Sequence, residues 1–224
     1  MKASKRQQTW ANLDRTKVYS IADAIEALRP YVSKKFDESL EIAIRLGIDI
    51  TKADQNIRGM LSLPNGTGKS VRVAVFTINA QDEAKKAGAD VVGGEELIEA
   101  VANGQINFDR VIATPDMMPK MSKVARVLGP KGLMPNPKLG TVTNDVAGAV
   151  ANAKAGQIEY RAEKNGIIHA GIGKMSFTTE KLVENANALL DQLKKVKPAS
   201  TKGQYILGVA VATTQGPGLH IDAK

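Results

Sequence analysis

The 224-residue chain is 43% hydrophobic and 24% charged, enough for one large domain or two small ones, and its lack of cysteine excludes disulfides, thiol nucleophiles and cysteine-ligated zinc. A net charge of +8 and a pI near 9.6 favour phosphate-bearing partners. The opening residues are charged throughout and no later run approaches about 18 apolar residues, so a cytoplasmic protein with no membrane partner is the expectation.

In chain order, "SIADAIEALRPYV" predicts a helix that Ser20 caps, with Ile21, Ala24, Ile25 and Leu28 on one face. "SLEIAIRLGID" alternates, placing Leu40, Ile42, Ile44, Leu46 and Ile48 on one side of a strand, and "NIRGMLSLP" predicts a second strand. From Lys69 the pattern changes. Short apolar runs at "SVRVAVF", "ADVVG" and "DRVIAT" alternate with helical stretches at "AQDEAKKAG", "EELIEAVANG", "KMSKVARVLG" and "DVAGAVANAKAG", which predicts a parallel sheet covered on both faces. Alternation returns in "QIEYRAEKNGIIHAGIG", where Asn165-Gly166 predicts a tight hairpin turn. A long helix at "TTEKLVENANALLDQLKK" and a last strand at "YILGVAVATT" complete the pattern.

The fold class this predicts is α/β with two domains. A discontinuous α+β domain is formed by both chain ends, residues 1–67 plus 157–224, and an inserted Rossmann-like three-layer α/β domain covers residues 68–156. The loops 64–70 and 154–157 are the two crossings and form a natural hinge.

Several familiar chemistries find no support. "GTGKS" lacks the first glycine of a phosphate loop, since Leu63 stands there, and it leads into a strand where a helix would have to meet phosphate. "TINAQDEA", after the first middle strand, has no glycine to admit a pyrophosphate. His169 and His220 form no metal cluster by themselves, and no nucleophile signature is present. Neither catalytic residues, a metal nor a cofactor is expected. A nucleotide-using enzyme built on the middle domain and a bare interaction scaffold are the competing readings, and a nucleotide-binding assay tests the first of them.

Three surfaces remain. Lys34 and Lys35 flank Phe36, which either lids the core or offers a platform to ribose or base. "ATTQGPGLH" is either a plain strand end with a bulge or a place where an RNA backbone approaches closely and meets hydroxyl and amide groups. Between Asp116 and Asp145 there is no acid, while Lys120, Lys123, Arg126, Lys131 and Lys138 are all present beside the prolines of "LGPKGLMPNPKLG", a stiff basic loop suited to phosphate.

"VGGEELIEAVANG", "VIATPDMM", "VARVLGPKGLMPNPKLGTV", "KAGQIEYRAEKNGIIHAGIGK" and "TTQGPGLHI" together resemble the bacterial large-subunit ribosomal protein L-one family, in register from about residue 5 to residue 222. The resemblance implies a ribosome-bound, non-enzymatic protein, a monomer when free. It implies the large-subunit rRNA stalk as main partner, exit-site tRNA as a second whose release it assists, and the protein's own operon mRNA as a target for translational repression. By position it implies an RNA surface of Lys35, Phe36, Ser39, Glu41, Lys164, Asn165, His169, Gly173, Lys174, Thr213, Thr214 and Gly216, to which the reading of the residues themselves adds Lys34 and Gln215 and, from charge bias alone, the 120–138 cations as a secondary contact. Gln215 stands where the family often has Met, which replaces an apolar contact by a possible hydrogen bond.

Overall fold

A computed structural model describes residues 8–222 apart from Asn12, and residues 1–7 of the expected end domain lie outside the described residues. The protein is mixed α/β and packs as two units, one running to Gly68 and resuming at Ile158, the other spanning Lys69–Gln157. Before Gly68 come β1 (Val18–Tyr19), α1 (Ile21–Leu28), β2 (Ser39–Leu46) and β3 (Arg58–Ser62). The second unit holds β4 (Val73–Phe76), α2 (Gln81–Lys86), β5 (Val91–Gly93), α3 (Glu95–Ala102), β6 (Arg110–Ala113), α4 (Met118–Met121), α5 (Ala125–Leu128) and α6 (Val146–Lys154). The chain closes with β7 (Gln157–Arg161), β8 (Ile167–Lys174), α7 (Thr179–Lys195), β9 (Ile206–Thr213) and β10 (Gly218–Ile221).

In the first unit a five-stranded sheet runs β1-β10-β9-β2-β8. β2 alternates as its sequence predicts, with Leu40, Ile42, Ile44 and Leu46 buried and Glu41 and Arg45 exposed, but it ends at Leu46, so Ile48 lies beyond the strand and is half-buried. That inner face packs on α1 and α7 through Ala24, Ile25, Leu28, Leu182, Ala186, Leu189 and Leu193. Fully burying an Ile or Leu side chain contributes about 1.5–3 kcal/mol, so this face holds the sheet and helices together. Ser20 caps α1: its Oγ accepts the Asp23 N–H at 3.1 Å and donates to Asp23 Oδ2 at 2.8 Å.

Asn185, buried on α7, has each amide atom matched to the backbone. Its Nδ2 donates to Ile172 O at 2.8 Å and to Gly66 O at 3.0 Å, and its Oδ1 accepts the Asn65 N–H at 3.1 Å. The start of the loop expected to serve as a hinge is therefore fastened to α7 and belongs to the first unit's surface.

In the second unit β4 lies between β5 and β6, all parallel. Ala74 and Phe76 point to one core, with Ile98, Val101, Phe108, Met117, Met121, Val124 and Leu128, whereas Val73 and Val75 point to another, with Ala84, Val146, Val150 and Ala153. Both faces are covered, which is why these strands read as unbroken apolar runs.

Three expectations need correction. "KMSKVARVLG" is not one helix: a 3-10 turn over Ser122–Val124 separates α4 from α5, and Ser122 Oγ donates to Pro119 O at 2.7 Å. The spacing of Met117, Met121, Val124 and Leu128 survives because a single 3-10 turn still returns each of them to the core. The turn after Arg161 is not centred on Asn165-Gly166. The Gly166 N–H donates to Glu163 O at 2.8 Å and the Glu163 N–H to Ile167 O at 2.9 Å. Only Gly166, at φ +71°, is left-handed there, which excludes a primed turn. Beyond the Ala162–Ile168 bridge β7 and β8 part, β7 to pair with β3 and β8 with β2. Finally, β9 is not the last strand, since β10 folds back on it and carries β1 at its outer edge.

Two aspartates brace the strand starts of the second unit. Asp90 Oδ2 accepts the Val73 N–H at 2.9 Å and faces Lys154 Nζ at 3.2 Å. Asp109 Oδ2 accepts the Arg72 N–H at 3.1 Å and faces its Nε at 3.3 Å. In both, the backbone N–H is the first cause holding the carboxyl below the ordinary aspartate range. A carboxyl lowered on folding contributes stability that is complete above its unfolded value, about 3.9, and is lost as pH falls through the folded one. Melting temperature should therefore drop on acidification from about pH 5 to pH 3, and Asp90→Asn combined with Asp109→Asn should lower the plateau and flatten that slope. An acid limb of unchanged steepness in the double variant would remove these two groups from the account.

Candidate nucleic-acid interface

Seen along β2, the predicted site residues of the first unit fall into three groups. Ser39 pairs with Lys174, Leu40 with both Gly173 and Thr213, and Glu41 with Gly171 and Ala212. The first end of β2 thus gathers Ser39, Glu41, Lys174, Thr213, Thr214, Gln215 and Gly216, with Lys34, Lys35 and Phe36 on the loop leading into it. His169 lies midway, opposite Ala43. Lys164 and Asn165 are exposed on the turn at the far end, where the Leu46 N–H donates to Gly166 O. Seven strand steps separate the ends, roughly 20 Å, so Lys164 and Asn165 do not join the cluster around Phe36.

The loop into β2 is braced from inside while its side chains face out. Lys34 and Lys35 are exposed and Phe36 is 42% exposed, so Phe36 is not the lid on the core that the bland reading allowed. The Lys35 N–H donates to Ser33 Oγ at 3.3 Å. Asp37 Oδ1 accepts the Ser176 N–H at 3.2 Å, its Oδ2 accepts from Ser176 Oγ at 2.7 Å, and its carbonyl accepts from Lys174 Nζ at 3.0 Å. Lys174 is therefore committed in part to holding this loop.

The turn after β9 differs from the sequence reading in one respect. Thr214 and Gln215 are exposed, but the Thr214 hydroxyl is already engaged, accepting the Ser39 N–H at 2.9 Å and facing Ser39 O at 3.3 Å. Thr213 is 4% exposed and its Oγ1 has no hydrogen-bond partner. Gly216 presses on it, since a Cβ there would stand 2.1 Å from that oxygen. Neither hydroxyl is simply offered to solvent. Gly173, also buried, sits at the bulge opposite Leu40, where a Cβ would meet Leu182.

The open face of the sheet carries small residues between its polar ones. His169, Ala43, Ala210 and His220 form one cross-strand row, and Gly171, Glu41, Ala212 and Gly218 form the next. Backbone on this face is accessible to a broad partner. Arg45, which the sequence reading passed over, is exposed on the same face.

Glu38 is the residue that sequence reasoning missed altogether. It is fully buried, with Oε1 accepting the Ser33 N–H at 2.9 Å and Oε2 the Gln215 N–H at 3.3 Å. The period of two that buries Leu40 and Ile42, extended back two residues, would have placed it on the inner side.

In the second unit Lys123, Arg126, Lys131 and Lys138 are exposed. Lys120 is not available in the same way: it pairs with Glu95, and that contact is the first cause holding the Glu95 carboxyl below its usual range. The proline-rich stretch is ordered by its own bonds. The Leu133 N–H donates to Leu128 O at 3.0 Å, the Asn136 N–H to Thr141 Oγ1 at 2.8 Å, and the Lys138 N–H to Asn136 Oδ1 at 2.9 Å. Leu133 and Met134 pack on the core beneath.

Among the described residues no group of three His, Cys, Asp or Glu side chains is placed to hold a metal, and no helix is long and apolar enough to cross a membrane. The family model for the ribosomal protein L1p/L10e family matches residues 28–217, so the chain belongs to that family. It is a ribosomal protein of the large subunit that binds rRNA, and its role is structural and not enzymatic.

Thr214→Val should lower the melting temperature, because the largely buried Ser39 N–H loses its acceptor. A loss of about 1 kcal/mol corresponds to roughly 2–6 °C. Thr214→Ser should restore most of it in a thermal melt, and equal melting of all three proteins would show that the hydroxyl bonds to Ser39 contribute nothing.

Proposed function

We propose that this member of the ribosomal protein L1p/L10e family is of the bacterial type and holds the mobile stalk of large-subunit rRNA on the end cluster of its first unit. The observation that carries this reading is convergence. The loop with Lys34, Lys35 and Phe36 comes from the first chain segment and is bonded to Lys174 through Asp37, the turn Thr213–Gly216 comes from the last and is bonded to Ser39, and all of them lie at one end of β2. Cations there neutralise phosphate, Phe36 packs on ribose or base, and exposed backbone reaches 2′-hydroxyls. Glu41 accepts from a base or ribose donor, and His169 extends the contact along the sheet. Lys164 and Asn165, on the far turn, meet a separate stretch of the same RNA.

A second contact is assigned to the unit spanning Lys69–Gln157, which we read as an inserted domain. Lys123, Arg126, Lys131 and Lys138 are exposed on a stretch without acids and favour a phosphate backbone, for which deacylated tRNA at the exit site is the natural partner of a stalk protein. Assistance in tRNA release follows from that contact. Repression of its own operon follows if the mRNA presents a stalk-like site to the end cluster, since one surface then serves both RNAs in competition.

Affinity for a stalk rRNA fragment should fall linearly on a log–log plot against salt, at about 0.7 to 0.9 per phosphate contacted. Lys35→Ala should reduce that slope by about one contact, whereas Phe36→Ala should weaken binding at unchanged slope. Lys131→Ala with Lys138→Ala should weaken deacylated tRNA and spare the rRNA fragment. An operon mRNA fragment should displace the rRNA fragment from the protein. Stalk rRNA binding that ignores both Lys35 and Phe36 but falls with the Lys131 and Lys138 changes would move the principal site into the second unit.

A further inference from the structure

The two loops of the end cluster belong to different chain segments; the Thr214 N–H ties the turn after β9 to Ser39 O at 3.1 Å, but among the described residues no backbone bond joins that turn to Ser33. One side chain does. Glu38 lies at the entry to β2 with its carboxylate fully buried, one oxygen on the Ser33 N–H at 2.9 Å and the other on the Gln215 N–H at 3.3 Å. Its carbonyl accepts the Met175 N–H at 2.8 Å, which adds the end of β8 to the same point.

Burying a charge is costly unless hydrogen bonds replace its hydration, and a residue needed only to fill space would be apolar here. A carboxylate is acceptor-only on both oxygens, which matches two backbone donors arriving from different segments. A glutamine in its place has one acceptor, and its amide NH2 would face the second N–H donor to donor.

We propose that Glu38 is a positioning residue for the RNA site: its buried carboxylate sets the spacing between the Ser33–Asp37 loop and the Thr213–Gly216 turn without touching RNA. This rests on the reading that those two segments hold rRNA. Its sign separates it from a charge effect. Removing a negative group near a phosphate-binding surface should strengthen binding if charge alone mattered, whereas loss of spacing weakens it.

The test compares the full-length protein with Glu38→Gln and Glu38→Asp, titrating a stalk rRNA fragment across a salt series while amide exchange is followed by NMR. Glu38→Gln should bind about tenfold more weakly at an unchanged salt slope and an unchanged active fraction, with faster exchange at both loops. Combined with Thr214→Val its effect should be less than additive, whereas combined with Lys164→Ala it should add. If Glu38→Gln does not fold, Glu38→Asp gives the same comparison, because it keeps the charge but reaches only one of the two N–H groups. Parental affinity despite faster exchange would overturn the proposal, as would a loss seen only as a smaller active fraction. Stronger binding would also overturn it in favour of a pure charge effect. Parental affinity in Lys35→Ala and Phe36→Ala as well would overturn the reading beneath it, and the two failures are distinguishable on that ground.

Discussion

Everything in the first unit depends on where β2 is placed. Among the described residues it is the one strand of the N-terminal segment with partners on both sides, β8 across one edge and β9 across the other, and both belong to the chain beyond the second unit. β1 repeats the constraint at the sheet margin by pairing with β10. The inner row of β2 meets α1 locally, but its core is complete only when Ile168, Ile172, Val209 and Val211 arrive from more than a hundred residues away. Loop closure across that distance has to be met before any of these contacts forms, which makes this sheet a late, non-local product of folding. The same interleaving explains why any surface at the end of β2 is built from both ends of the chain.

Where the local pattern and the tertiary pattern agree, the fold was legible. β2 reads correctly because one face is wet and its period of two is unbroken. β4, β5 and β6 read correctly because burial on two faces leaves them apolar apart from Arg110 at the start of β6. Ser20 reads as a cap because capping is local chemistry. Two failures are local, the 3-10 turn at Ser122–Val124 and the turn closed by Glu163 and Gly166, and the others are tertiary. β1 and β10 are too short for any periodicity to register, and β10 follows a Gly-Pro-Gly stretch that resembles a chain end. β7 continues a plausible hairpin with β8 in sequence, yet its partner is β3, from the other side of the second unit.

The candidate site divides in the same way. Exposed cations and the exposed aromatic were readable because they sit in a loop whose composition is unusual. Their supports were not: Glu38 and Asp37 look like ordinary solvated acids beside two lysines, and only the folded chain shows one buried on two N–H groups and the other clamped to Ser176. Lys120 shows the reverse error. It lies in a stretch without acids, so it reads as free, but Glu95 reaches it from α3, twenty-five positions earlier in the chain. Charge bias along a sequence is a poor guide wherever helices bring distant acids onto the same surface.

Polar side chains in the first unit, Asn185 and Glu38 buried and Thr214 at the surface, hold loops in place. Asn185 fastens Asn65 and Gly66, Glu38 fastens Ser33 and Gln215, and the Thr214 hydroxyl fastens Ser39. Satisfied networks of this kind rigidify a surface at little net gain in stability, because each bond replaces one to water. The gain comes on binding. A loop already fixed in shape loses less conformational entropy when a partner docks, by about 0.5–1.5 kcal/mol for each side chain that need not be immobilised. Phe36 fits that logic: it stays 42% exposed, with a hydrophobic cost of its own, on a loop whose backbone is bonded at Ser33, Lys35 and Asp37. A floppy loop would bury that ring against the nearest apolar surface, so its exposure follows from the polar scaffold beneath it, and the scaffold is what keeps the ring presented at the surface.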